Sequence, residues 1–180
     1  MKPNAYEGAG FPLWKFRKVR SLEKSGLLYN TVSAKTWVNE LFDGYYLPNF
    51  SLKGKTVLDV GACCGETAYY FLRKGASKVV CIECDASSIE LLRKNVENLG
   101  MNVEVIPERF NLKHLQKQHD FMKCDIEESE QILLPVVDRL KPCVLEVHGF
   151  ALKEMFEKKG FRVVHRFGGM HQHLFIMANY

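Results

Sequence analysis

The chain has 180 residues, a formal net charge of +4, 26% charged side chains and 47% hydrophobic ones. That length can bury a real core but is short for two ordinary domains. No apolar run approaches the ~20 residues needed to cross a bilayer, and Met1-Lys2-Pro3-Asn4 opens without the apolar stretch of a secretory signal, so a cytoplasmic protein with no membrane association is expected.

Along the chain, Leu13–Arg20 is basic and aromatic, and residues 1–24 hold Lys2, Lys15, Arg17, Lys18, Arg20 and Lys24 against Glu7 and Glu23. The whole cationic surplus therefore sits in this segment. Basic side chains interleaved with aromatics suit RNA or an acidic substrate, although an amphipathic lid with a solvated face is the plainer reading. Thr36–Phe42 has helical spacing, with Trp37, Leu41 and Tyr45 recurring on one side. Pro48 and Asn49-Phe50-Ser51 mark a boundary. The expected division is residues 1–52 as a helical extension over the ligand end and residues 53–180 as the main domain.

Residues 55–65 read as a buried strand (Val57, Leu58, Val60) running into a glycine turn and then a helix. Asp59 lies near the strand end, and Gly61 and Gly65 bracket the turn, where a missing Cβ lets a ligand approach the backbone. The spacing is G-x-x-x-G with Cys63 inside it, not the G-x-G-x-x-G that cradles a pyrophosphate. Residues 65–74 form the expected helix, stopped by Gly75. The next strand, Lys78–Glu83, ends in an acid 24 residues after Asp59. This is near the ~20-residue spacing at which a carboxylate meets a ribose in nucleotide-binding βαβ units, and Cys84 follows in the same loop.

Ser87 and Glu90 predict a capping box for a helix carrying Ile89, Leu92, Val96 and Leu99 inward and ending at Gly100. Further strands are predicted over 102–106, 119–124, 143–147, 161–167 and 173–178. Strands alternating with helices predict a parallel sheet covered on both faces. The link 168–172 is too short for a parallel crossover. The fold class is therefore α/β: seven strands, mostly parallel, one late antiparallel strand, and an N-terminal helical extension. Six cysteines (63, 64, 81, 84, 124 and 143) lie on or beside the strands and do not form a disulfide framework. Cys81 and Cys84 have zinc-ligand spacing, but one lies within a strand and the other beyond its end, so unligated thiols are expected.

Two strand ends carry further chemistry. The end of the fourth strand carries Lys123, Asp125, Glu127 and Glu128, and that strand should neighbour the first at the switch point where open α/β sheets bind ligands. A helix start explains Glu127 and Glu128 but not the alternating Lys123 and Asp125. The fifth strand brings Glu146 and His148 to one face, and His148 there is either structural or catalytic.

The stretch Val57-Leu58-Asp59-Val60-Gly61-Ala62 resembles the first motif of Rossmann-like methyltransferases dependent on S-adenosylmethionine (SAM). Taken with Lys123-Cys-Asp-Ile-Glu-Glu-Ser-Glu130 and Val144-Leu-Glu-Val-His148, it is similar to the FkbM-type family over roughly residues 30–180. That family typically shows Lys-x-Asp-Val-Glu-Gly-x-Glu at the second motif. Lys123, Asp125, Glu127 and Glu130 match it, and Glu128 stands in place of the glycine. The resemblance implies SAM held by Asp59 (ammonium), Gly61, Ala62, Cys63, Gly65, Glu83 (ribose) and Cys84. It also implies O-methylation of a small molecule or sugar, with a divalent metal in some members; the carboxylates suit Mg²⁺. Methyl displacement requires alignment and removal of the hydroxyl proton. His148 is the expected base because its ordinary pKa lies near neutrality, with Lys123, Asp125 and Glu127 beside the acceptor. Two alternatives stay open. An RNA (tRNA) base methyltransferase is supported by the basic N-terminal segment but lacks the Asn/Asp-Pro-Pro-Tyr-like motif. A non-catalytic SAM-binding protein is supported by Glu128.

Overall fold

The structure, a computed structural model, describes residues 26–28, 44–166 and 173–180. The basic Leu13–Arg20 stretch, the helix expected over Thr36–Phe42 and the link 168–172 lie outside the described residues. Seven strands, β1 (Thr56–Val60), β2 (Lys78–Ile82), β3 (Val103–Ile106), β4 (Phe121–Cys124), β5 (Cys143–His148), β6 (Arg162–Arg166) and β7 (Leu174–Ala178), form one sheet. Their order is β3-β2-β1-β4-β5-β7-β6. β1 pairs in parallel with β2 on one side and β4 on the other. The chain thus reverses direction across the sheet between β1 and β4 and opens a crevice at the strands' carboxyl ends. β7 runs antiparallel to both β5 and β6, as the short link requires.

The central strands are continuous apolar runs because both their faces are buried. Leu58, Val60, Ile82, Met122 and Leu145 fill one face. Val57, Val79, Phe121, Val144 and Ile176 fill the other, against Ala68 and Phe71 of helix α1 (Glu66–Arg73). Of the expected extension, residues 44–52 are continuous with this second core. Tyr46 and Leu52 are buried in it, and the Phe50 ring meets Phe121 and Tyr180 edge-on. Residues 44–52 therefore pack against the sheet.

Helix α2 (Ala86–Leu99) is capped differently from expectation. Its N-cap is Asp85, whose carboxylate accepts the Ser88 N–H at 2.8 Å and the Ser87 hydroxyl at 2.5 Å. Glu90 instead pairs with Lys94 one turn on. Asn95, fully buried on this helix, accepts the Leu28 N–H at 2.7 Å and donates to the carbonyls of Leu28 (2.7 Å) and Cys64 (2.8 Å). The crossovers flanking β4 are tight 3-10 segments, Leu112–Gln116 and Glu130–Arg139, instead of α-helices. Pro135 inside the second has no N–H to continue an α-helical ladder. A third helix, α3 (Phe150–Glu157), leads to β6.

Candidate active site

The turn after β1 is shaped by backbone contact. Gly61 has φ +73°, and a Cβ there would lie 1.7 Å from the carbonyl oxygen of Asp125. The glycine is required because the loop after β4 crosses directly over it, a different reason from the ligand approach expected from sequence. Gly65 (φ +86°) caps α1, and a Cβ there would lie 2.5 Å from a Leu92 methyl.

Beyond the carboxyl ends of β1, β2 and β4 lies a cleft of about 650 Å³, within the usual range for small-molecule sites. Its apolar wall is Ile82, Phe110, Ile126 and Ile132; its charged groups are Glu83, Glu108, Asp125 and Glu127 against Arg109. Four carboxylates facing one guanidinium make a cleft suited to a cationic ligand and hostile to a pyrophosphate. Of the residues expected to hold a cofactor, Gly61, Glu83 and Cys84 line it. Asp59, Ala62, Cys63 and Gly65 do not. The segment after β3 (Glu108, Arg109, Phe110) and the residues Ser129 and Gln131 were missed. The available signal was that β3 also ends at the ligand edge of the sheet.

Glu83 holds its own loop together. One carboxylate oxygen accepts the Cys63 N–H at 2.8 Å, and the other accepts those of Cys84 (2.7 Å) and Asp85 (2.8 Å). A carboxylate offers about four acceptor positions, so the pair of ribose hydrogen bonds expected from sequence is reduced to about one.

A buried polar belt runs under the turn. Asp59, Lys123 and Glu146 share one face of β1, β4 and β5. Lys123 Nζ donates to the Gly61 carbonyl at 2.7 Å and stands 3.6 Å from both Asp59 and Asp125. Asp59 accepts the Thr67 hydroxyl at 2.5 Å. Tyr46 covers the lysine, with its ring centroid 5.2 Å from Nζ and its hydroxyl on Glu146 and, at 3.4 Å, Asp125. Burial alone would lower the Lys123 ammonium, but Asp59, Asp125, Glu66 and Glu146 hold it well above its ordinary range. Burial raises the Asp59 carboxyl, and Lys123 and Thr67 oppose that rise. Two of the expected site residues lie within this belt. Asp59 is completely enclosed behind the cleft lining, with Thr67 on one oxygen and Lys123 3.6 Å from the other. Lys123 is buried beneath Tyr46 and ties β4 to the turn after β1.

His148 sits at the other end of the belt. Its Nδ1 lies 3.1 Å from Glu130, and its Nε2 lies 3.5 Å from Glu127 and 3.8 Å from Glu146. The Glu130 hydrogen bond, against the opposing effect of burial and with added attraction from Glu146 and Glu127, pushes the imidazole up to about 9. The Glu128 N–H also approaches Nδ1, at 3.4 Å. These carboxylates favour the imidazolium form, and the proton-accepting role expected of His148 is one that Glu127, 3.5 Å from its Nε2, can share. The loop between these groups is strained: Glu127 (φ +48°) and Glu128 (φ +65°) are successive left-handed residues. Glu128 stands where the resembled motif has glycine, and the backbone there has the conformation glycine prefers.

The family model for FtsJ-like methyltransferases matches residues 37–178. The match is therefore not to the FkbM type that the β4 motif resembles. Ribosomal protein L11 methyltransferase of Klebsiella pneumoniae is 35% identical over 81 residues, covering 45% of this chain and 26% of that protein. The chain thus spans about a quarter of the curated relatives it matches. A putative RNA methyltransferase from Pyrococcus horikoshii superposes with a TM-score of 0.59 at 19% identity, over 93% of this chain and 94% of that one. Aeropyrum pernix fibrillarin, solved with natively bound SAM, gives 0.55 at 16% identity over 73% and 70%. No helix among the described residues is long and apolar enough to cross a membrane.

Proposed function

The chain belongs to the FtsJ-like methyltransferase family, and from that premise we propose that it transfers the methyl group of SAM to a base of an RNA. The observation that carries the cofactor half is the charge of the cleft. SAM presents an ammonium, a sulfonium and two ribose hydroxyls and has no phosphate; Glu83, Glu108, Asp125 and Glu127 suit those groups. In this reading Glu83 takes a ribose hydroxyl with its remaining acceptor position. Asp125 lines the cleft while Asp59 does not; the Oδ1 atoms of both are buried without a hydrogen-bond partner, and Asp125, being on the cleft, takes the ammonium. When bound, SAM supplies an electrophilic methyl at the sulfonium.

The acceptor half departs from the small-molecule O-methylation implied by the FkbM resemblance. Support for RNA is the likeness over nearly the whole chain to a protein described as a putative RNA methyltransferase, together with the cationic first 24 residues. At the mouth beyond β4 and β5, Glu127 is the exposed carboxylate, held by the His148 cation. It accepts the proton leaving the acceptor nitrogen, while His148 orients it. The chemistry asked of the chain is alignment and proton removal, with no Mg²⁺ assigned a role.

Two measurements test this. Calorimetry should give SAM binding that Glu83→Gln weakens by roughly 10- to 100-fold, the equivalent of about 1.5–3 kcal/mol for one charge-assisted hydrogen bond. Unchanged affinity removes Glu83 from the site. Incubation with methyl-labelled SAM and either total RNA or ribosomal proteins should put label into nuclease-sensitive material. Label that only protease releases makes the acceptor a protein.

A further inference from the structure

The turn between β1 and α1 carries a set of donors that the methyltransferase reading leaves unused. Cys63, Cys64 and Glu66 present two sulfurs and a carboxylate oxygen that all lie within 4.8 Å of one another. The two Sγ atoms are 3.9 Å apart. That is far beyond a disulfide bond of about 2.05 Å. It is close to the ~3.8 Å that separates two thiolates on one tetrahedral ion with metal–sulfur bonds of about 2.3 Å.

Glu66 is the independent sign that a ligand belongs here. Its side chain is buried, with 6% of the residue exposed, and its Oε2 has no hydrogen-bond partner. A buried acid is costly unless something offsets its charge, and a cation held with two neighbouring thiolates would do so.

The set is also held in place before any ion arrives. The Cys64 carbonyl accepts a hydrogen bond from Asn95, and the Cys63 N–H is fixed by Glu83. Cys63 itself is kept at φ +45°, a conformation rare for a residue with a side chain. Cys64 and Leu27 pack together beneath, while Cys63 is half-buried and leaves a way in.

We infer that Cys63, Cys64 and Glu66 bind a thiophilic divalent cation, zinc by the chemistry of the donors, through two thiolates and one carboxylate with a fourth position open to water. Sulfur ligands exclude Mg²⁺ and Ca²⁺ as the preferred ion. This set differs from the Cys81–Cys84 pair whose spacing suggests zinc in the sequence: Cys81 is sealed inside the sheet and Cys84 lies on the cleft. It replaces the expectation that all six thiols are unligated. Loading is an exchange: each thiol, and Glu66 if protonated, gives its proton to the buffer as its bond to the ion forms.

The test uses the full chain, stripped with a chelator and titrated with Zn²⁺, and in parallel with Cd²⁺, whose thiolate bonds absorb in the ultraviolet. One ion per chain is expected, with proton release and a cadmium–thiolate band. Cys63→Ser and Cys64→Ser should each weaken binding by about 100-fold or more, and Glu66→Gln by at least about 10-fold. Should the serine variants fail to fold, zinc protection of Cys63 in the native chain against alkylation decides the matter. Absence of binding, a band undiminished in the folded Cys63→Ser/Cys64→Ser double variant, or alkylation indifferent to zinc overturns the assignment. None of these readouts depends on SAM binding or on the acceptor.

Discussion

The most exacting consequence of the site concerns His148 and pH. Replacing it by Gln keeps a polar side chain of similar size but removes the cation that three glutamates surround. In the native chain the imidazole titrates near 9, against about 6.5 when unfolded. A folded-state value raised above the unfolded one stabilises the protein fully below about 6.5. That stabilisation is lost as pH climbs through 9, because between those limits the native state holds a proton that the unfolded chain has released. The slope there is about −1.4 kcal/mol per pH unit, which sets a ceiling near 3.4 kcal/mol. The imidazole is 20% exposed and Glu127 is 85% exposed, so solvent screening reduces the expected effect to about 2 kcal/mol. Urea unfolding of native and His148→Gln proteins at pH 6 and pH 9.5 reads it directly. The stability difference between the two should shrink by about 2 kcal/mol from the lower pH to the higher. Buried carboxylates elsewhere titrate in both proteins and cancel in the comparison. A difference that stays constant across that range would mean that His148 is neutral in the fold, and the proton-accepting role assigned to Glu127 would revert to the histidine.

Two backbone predictions follow from the same loops. Gly61→Ala must both adopt a left-handed φ and displace the Asp125 carbonyl from 1.7 Å; a loss of about 3 kcal/mol or more is expected in chemical denaturation, and a loss below about 1 kcal/mol would mean the β4 loop is not packed on the turn. Glu128→Gly should relieve the strain at φ +65° and stabilise the protein by about 0.5–1 kcal/mol, a gain read as a higher urea midpoint; a destabilised variant would show that the Glu128 side chain is held by contacts that outweigh the strain.

The sheet was legible because its signals are local. Val57, Leu58 and Val60, or Val79 and Val80, form apolar runs that a strand buried on both faces requires, and the five-residue link before β7 excludes a parallel crossover on geometry alone. The helix cap was misplaced from Ser87 to the true Asp85 because both residues are good caps and only backbone direction separates them. At the site, sequence position located the acids but not their exposure. Asp59, Asp125 and Glu127 all lie at strand ends, yet Lys123 and Thr67 enclose the first while the other two reach the cleft. That distinction depends on which strand neighbours which and on Tyr46, 77 residues before Lys123 in the chain. The charge state of His148 was equally out of reach, because Glu130 comes to it through a 3-10 segment where an α-helix was expected.

Asn95 bears on how this protein can be divided. Its amide is a junction: the oxygen accepts the Leu28 N–H, the nitrogen donates to the Leu28 and Cys64 carbonyls, and its own helix carries it fully inside. A shortened version beginning near residue 44 would contain every described strand and the described cleft lining, yet it would leave that amide without its two Leu28 hydrogen bonds, at about 1–3 kcal/mol for each group left unsatisfied. The change of composition near residue 50 is thus crossed by the Leu28–Asn95 hydrogen bonds, which a fragment cut there would lose. Insertions and fusions belong at other points, such as the exposed Gly100 turn, where a Cβ meets nothing within 4 Å.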